Sequence, residues 1–228
     1  MDSKIIVQQA HICNKAAMCV EENFGAMGKF IKNKETTIYD IEDGNVQISD
    51  KLAIPVKPMI GFIGTSPVDN AVTNSTPGEH GGNMDCKEIT AGAVVYLPVF
   101  AKGALLAMGD IHAVMGDGEV CICAAEVAGE VIVRARAIKS HLLTPCVDTG
   151  DDIAFIGSGL TLDECEKIVL AKTFDFLVNS MNFGDNEAAR MMSLTGQLRV
   201  CQVVNPLKTM KLMLPKWLFV ERTNNDIF

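Results

Sequence analysis

Apolar and polar residues alternate over short stretches through roughly the first two thirds of the chain, and the spacing turns helical after Gly150. Residues 36–41 and 45–49 are β-prone runs on either side of Asp43-Gly44, a pair that signals a tight hairpin. Residues 60–64, 94–99 and 104–108 read as further strands. Residues 119–127 and 131–138 read as two more, and Gly129-Glu130 between them predicts a second hairpin. Arg134 and Arg136 share a face with Ile132 and Ile138, which predicts a partly solvated face.

Beyond Gly150, Thr161-Leu162-Asp163-Glu164 matches a capping box, in which Thr161 and Glu164 satisfy free backbone donors at a helix start. Leu162, Cys165, Val169, Phe176, Leu177 and Met181 then recur at helical spacing. Asp185 is placed to cap a second helix running to about Thr195, before Gly196. Residues 198–204 and 209–214 read as strands. The order predicts a mainly β chain with an α+β part: a β-sandwich body over residues 1–144, then an α+β C-terminal lobe over residues 145–228, either separate or intertwined as one domain. Pro145 and Gly150 mark the change.

Composition narrows the function. The 228 residues suffice for a full core, and no apolar run approaches the roughly 18 residues of a membrane span. The formal net charge of −8, with Lys and Arg scattered, argues against nucleic acid as a partner. Eight cysteines without an apolar N-terminal leader predict free thiols in a reducing cytoplasm. None has the C-x-x-C spacing of a zinc ribbon, and small buried core residues are the plain reading of all eight.

Polar chemistry concentrates between Thr65 and Glu126. Residues 73–85 read T-N-S-T-P-G-E-H-G-G-N-M-D, too rich in Gly, Pro, Asn and Ser for a helix or strand. Gly81 and Gly82 permit positive φ or close backbone approach, so the loop either displays His80, Asn83 and Asp85 toward a site or is simply solvated. Asp110 and His112 point to one side of an extended segment, and Asp117-Gly118 signals a turn leading to Glu119. Such a set suits a divalent cation, or equally an exposed acidic turn. Glu126 stands in the apolar run C-I-C-A-A-E-V, where a carboxylate is paired, metal-bound or at a strand end. Strand parity sets it opposite Glu119. No G-x-S-x-G elbow, P-loop or dinucleotide fingerprint is present.

In order, G-F-I-G-T-S-P from Gly61, T-P-G-E-H-G-G-N-M-D from Thr76, Y-L-P-V-F from Tyr96, G-D-I-H-A-V-M-G-D-G-E-V from Gly109 and L-T-G-Q-L-R-V-C-Q-V-V-N-P from Leu194 resemble the acetamidase/formamidase family. The resemblance covers roughly residues 37–216 and implies hydrolysis of small linear amides to carboxylate and ammonia, on a β-sandwich with an α+β portion. The family's polar motifs are similar at His80, Asp85, His112, Asp117, Glu119 and Glu126. Two departures stand out: members usually carry a further N-terminal β-rich segment, and an acid where this chain has Gln197. A shortened sandwich predicts uncovered strand edges and hence a homo-oligomer.

On this reading Asp85, His112 and Glu119 are metal ligands, for zinc or calcium. Glu126 is the general base, His80 orients substrate or donates to the oxyanion, and Asn83, Gly81 and Gly82 bind the small amide. Cys86 as nucleophile is disfavoured by its neighbour Asp85, which opposes a thiolate. A non-catalytic shortened paralogue, serving as a binding or assembly subunit, is the alternative from another class.

Overall fold

A computed structural model describes residues 1–67, 71–139 and 144–219. In chain order it has β1 (Asp2–Val20), the meander β2 (Glu35–Glu42), β3 (Asn45–Ser49) and β4 (Leu52–Pro55), then β5 (Met59–Gly64) and β6 (Gly81–Asn83). There follow β7 (Val94–Pro98), β8 (Ala107–His112), β9 (Glu126–Ile138), β10 (Cys146–Asp148) and β11 (Asp152–Gly159). Helices α1 (Leu162–Asp175) and α2 (Asp185–Thr195) come next, and β12 (Gln197–Gln202) and β13 (Lys208–Pro215) close the fold.

The strands of the described residues form a large antiparallel sheet in the order β12-β13-β11-β10-β7-β1-β9-β8-β5-β6, with β2 also paired to β1 and followed by β3 and β4. The loop between β8 and β9 reaches the β12 edge: Gly118 N donates to Cys201 O, and Val203 N donates to Gly118 O. Ile5, Val7, Ile60, Ile63, Val95, Leu97, Ala154 and Ile156 fill the enclosed core. The body and lobe expected from sequence are thus joined strand to strand, because β10 pairs with both β7 and β11.

Alternation explains the second core. Tyr96, Ile153 and Phe155 project from the other face of β7 and β11 and pack under Phe176, Leu177 and Met181 at the end of α1. The Phe155 and Phe176 rings lie 4.9 Å apart. The capping box forms as expected: Glu164 N donates to Thr161 Oγ1, and Leu160 N donates to Glu164 Oε2 at 2.7 Å. Asp185 is different. It is the first residue of α2, and Gly184 holds the cap position without a side-chain bond.

Three readings of strand structure are corrected. Residues 119–125 are irregular rather than extended, because Gly118 (φ +97°) and Glu119 (φ +41°) turn the backbone. Gly129-Glu130 does not make a hairpin, because β9 runs straight through it. Gly129 pairs with Ile12, and a Cβ there would lie 2.4 Å from His11 O, so the glycine serves close backbone approach. The third is residues 104–108: β8 begins only at Ala107, because Ala104 (φ +58°) and Leu105 (φ +53°) turn the backbone. β1 spans 19 residues and has no counterpart in the sequence reading. Register shifts at Val7/Gln9 and Ile12/Ala16 change its alternation phase, and so no regular period shows in the sequence.

Candidate metal centre and active site

Strand pairing assembles the centre. His112 closes β8 directly opposite Glu126, the first residue of β9, and His112 Nε2 lies 3.1 Å from Glu126 Oε1. Asp110, two residues earlier on β8, brings Oδ1 to 3.5 Å from the same nitrogen, and Glu119 Oε1 stands 4.0 Å from it. Asp85 follows β6 and is held by its own N–H, which donates to Gly61 O at 3.1 Å. The ligand-type atoms of Asp85, His112 and Glu119 lie within 4.8 Å of one another, and so do those of Asp110, His112 and Glu126, with His112 shared. Glu119 and Glu126 therefore converge. The opposite placement read from strand parity fails because residues 119–125 are not a strand.

The local backbone is costly. Asp85 (φ +46°), Asp110 (φ +57°) and Glu119 (φ +41°) all occupy the left-handed region, which costs a non-glycine residue on the order of 1–3 kcal/mol. Gly61 leaves the space into which two carboxylates turn: a Cβ there would lie 2.6 Å from Asp85 Oδ1 and 2.7 Å from Asp110 Oδ2.

Electrostatics match this crowding. Burial, opposed by the charge of His112, pushes the Asp85 carboxyl up to about 6. Burial and the neighbouring Asp85 charge push Glu119 up to about 9. Burial alone would lower His112, but its pairing with Asp110 and Glu126 raises it to about 10. Burial also opposes ionisation of Asp110, and His112 nevertheless holds it below the usual carboxylate range. Asp85 Oδ1 and both ring nitrogens of His112 are buried and lack any partner in hydrogen-bonding geometry. Buried polar atoms without hydrogen-bond partners beside crowded carboxylates fit a divalent cation, whose charge would lower these pKa values and displace the proton from His112.

The other expected residues surround this centre unevenly. Asn83, with Asn74 and Ser75, lines a hollow of about 450 Å³ that reaches Asp110. Gly81 and Gly82 are buried and paired with Gly64 and Ile63 of β5. The His80 ring occupies the space beside Gly82, where a Cβ would lie 2.8 Å from Nε2, and burial lowers its pKa. His80 belongs to neither convergent group. Asp117 pairs with Lys87 at 2.9 Å and Lys211 at 2.8 Å. Cys86 is fully buried, with its thiol pKa pushed well up by Cys201 and by burial.

Three contributors escaped the sequence reading. Asn205 Nδ2 donates to Asp85 Oδ2 at 2.6 Å and to Asn83 O at 3.0 Å. Gln202, fully buried, shapes that loop by accepting from the N–H groups of Val204 and Asn205, each at 2.9 Å. Lys211, also fully buried, donates to Glu88 Oε2 at 2.5 Å and Asp117 Oδ1 at 2.8 Å. One ammonium thereby ties the segment after Asp85 to the segment before Glu119. Lys211 had a usable signal, a lone cation in the apolar run M-K-L-M-L, by the same logic that singled out Glu126.

With this geometry in hand, the comparisons are specific. The sequence profile of the Acetamidase/Formamidase family matches residues 67–150. A formamidase of Methylophilus methylotrophus is 47% identical over 64 residues, which is 28% of this chain and 16% of that protein. The crystal structure of an acetamidase from Bacillus halodurans superposes with a TM-score of 0.95 at 37% identity, covering 97% of this chain and 75% of that one. A predicted acetamidase/formamidase from Thermoanaerobacter tengcongensis superposes with a TM-score of 0.94 at 38% identity, covering 97% and 74%. The fold and its ordered motifs thus define a protein of the amidohydrolase type. The chain belongs to the acetamidase/formamidase family.

Proposed function

We propose that this chain hydrolyses small linear amides, R-CO-NH2 and water giving R-COO⁻ and ammonium, at a centre where Asp85, His112 and Glu119 hold a divalent metal. The observation that carries this reading is the convergence of those three residues, with buried polar atoms of Asp85 and His112 lacking hydrogen-bond partners. Zinc and calcium both suit a set of one imidazole and two carboxylates. A bound divalent cation supplies carbonyl polarisation and a lowered water pKa.

Within this proposal Glu126 is the general base: half-buried and 3.1 Å from His112, it takes a proton from the attacking water and passes it to the leaving nitrogen. Asn83 holds the amide through its carboxamide from the hollow beside Asp110. His80, a neutral imidazole, orients the substrate or donates to the oxyanion, and Gly81 and Gly82 let backbone approach it. Self-association through the exposed edge of β4, and a cytoplasmic setting suited to eight free thiols, belong to the same proposal.

Ammonia release from formamide and acetamide by the metal-loaded protein is the test. Glu126→Gln is expected to keep its metal while turnover falls about 100-fold or more. Asp85→Ala or His112→Ala should lose metal and turnover together. Tight metal binding with no ammonia from any amide would refute the hydrolase and leave a binding subunit.

A further inference from the structure

The carboxylate cluster borders two hollows of different character. On the Asp110 side is a mixed one, where Asn74, Ser75 and Asn83 stand beside Phe62 and Met108. On the Glu119 side is a cavity of about 430 Å³ walled mainly by apolar side chains, among them Met18, Tyr39, Val46, Ile48, Ile54 and Met115. Glu119 borders both the cluster and this cavity. The wall is built deliberately: β1 contributes Met18, the β2–β4 meander contributes Tyr39, Val46, Ile48 and Ile54, and the irregular segment after β8 closes the far side.

We infer that the site prefers primary amides whose acyl part is an apolar chain longer than acetyl, seated against the β2–β4 meander. This rests on the amide-hydrolase reading and names the substrate class for it. A methyl group leaves most of a 430 Å³ cavity unfilled, whereas cavities of this size and lining characteristically bury larger apolar ligands. The orientation follows from chemistry: the chain goes to the apolar side, and the amide nitrogen faces Asn83 and Asp110 on the other. Each methylene buried there favours the longer amide about fourfold, from roughly 0.8 kcal/mol per CH2.

The experiment compares hexanamide with acetamide on metal-loaded wild type and on Ile54→Trp, which fills the cavity from its exposed rim. Expected for wild type is a kcat/KM at least tenfold higher for hexanamide. In I54W that preference should collapse, the ratio of the two kcat/KM values falling to about one. Equal kcat/KM for the two amides in wild type, or an equal loss of both in I54W, overturns the inference and leaves amide hydrolysis standing. If neither amide is hydrolysed, saturation-transfer NMR of hexanamide decides separately. Binding that I54W abolishes supports the acyl cavity although the hydrolase reading has failed. Absent binding, or binding indifferent to I54W, rejects the cavity as well.

Discussion

Adding one methyl group at Gly61 tests whether the acidic side chains meet where the structure places them. The Cβ of Gly61→Ala would stand 2.6 Å from Asp85 Oδ1, 2.7 Å from Asp110 Oδ2 and 3.0 Å from Asp110 O. Ordinary carbon–oxygen contacts lie near 3.3 Å or beyond, so two carboxylates must swing away or β5 and β8 must part. The backbone oxygen cannot yield without disturbing the Ile60–Ile111 and Phe62–Gly109 pairs on either side. Overpacking of this kind costs about 1–3 kcal/mol, which for a chain of this length lowers Tm by about 2–12 °C. Because Asp85 is displaced, metal affinity should fall at least tenfold by calorimetric titration with zinc or calcium. Gly109→Ala, one strand away, is the control: its added Cβ meets nothing within 4 Å, and stability should stay within about 0.5 kcal/mol. A G61A protein with wild-type Tm and metal affinity would refute the arrangement around Gly61.

Lys211→Met should destabilise the fold by about 3–5 kcal/mol in urea titration and weaken metal binding, because the largely buried Glu88 loses its cation, while Asp117 keeps only Lys87. Unchanged metal affinity in the folded variant would show that Lys211 does not position the site. Asn205→Ala, which removes the donor to Asp85 Oδ2, should cost about 1–3 kcal/mol and lower metal affinity, as read by calorimetry. Lys172 donates to Thr144 O and Ile156 O, and burial pulls its pKa down to about 8 from 10.5. Its proton is thus bound more weakly in the folded than in the unfolded state. Below pH 8 the full burial cost is present, and stability relative to Lys172→Met should rise between about pH 8 and 10.5, by at most about 1.4 kcal/mol per pH unit. A flat difference across that range would contradict the assignment.

Much of this architecture is legible from local signals. The Asp43-Gly44 hairpin, the capping box at Thr161 and the strand from Met59 to Gly64 each carry their cause within a few residues. Where the reading slipped, the cause lay elsewhere in the chain. Gly129 looks like a turn residue until His11 O is seen to press against it. β1 hides because two bulges reset its alternation. Within the site, loop composition, the Asp110–His112 spacing, the Asp117-Gly118 turn and a charge in an apolar run drew attention to Asp85, His112, Glu119 and Glu126, and the family resemblance supplied their expected roles. Gly61 and Asn205 could not be found that way, since their roles exist only once β5 and the loop after β12 arrive beside Asp85.

The left-handed backbone at Asp85, Asp110 and Glu119 has a consequence for how the chain tolerates change. Wherever an acid is held in a conformation that glycine or asparagine adopts more readily, the wild-type residue is not the most stable choice for the fold. Relaxing such positions should yield molecules that melt later and do less. Selection for robustness alone would therefore erode this centre, and its retention in a folded chain would itself signal that the centre is in use.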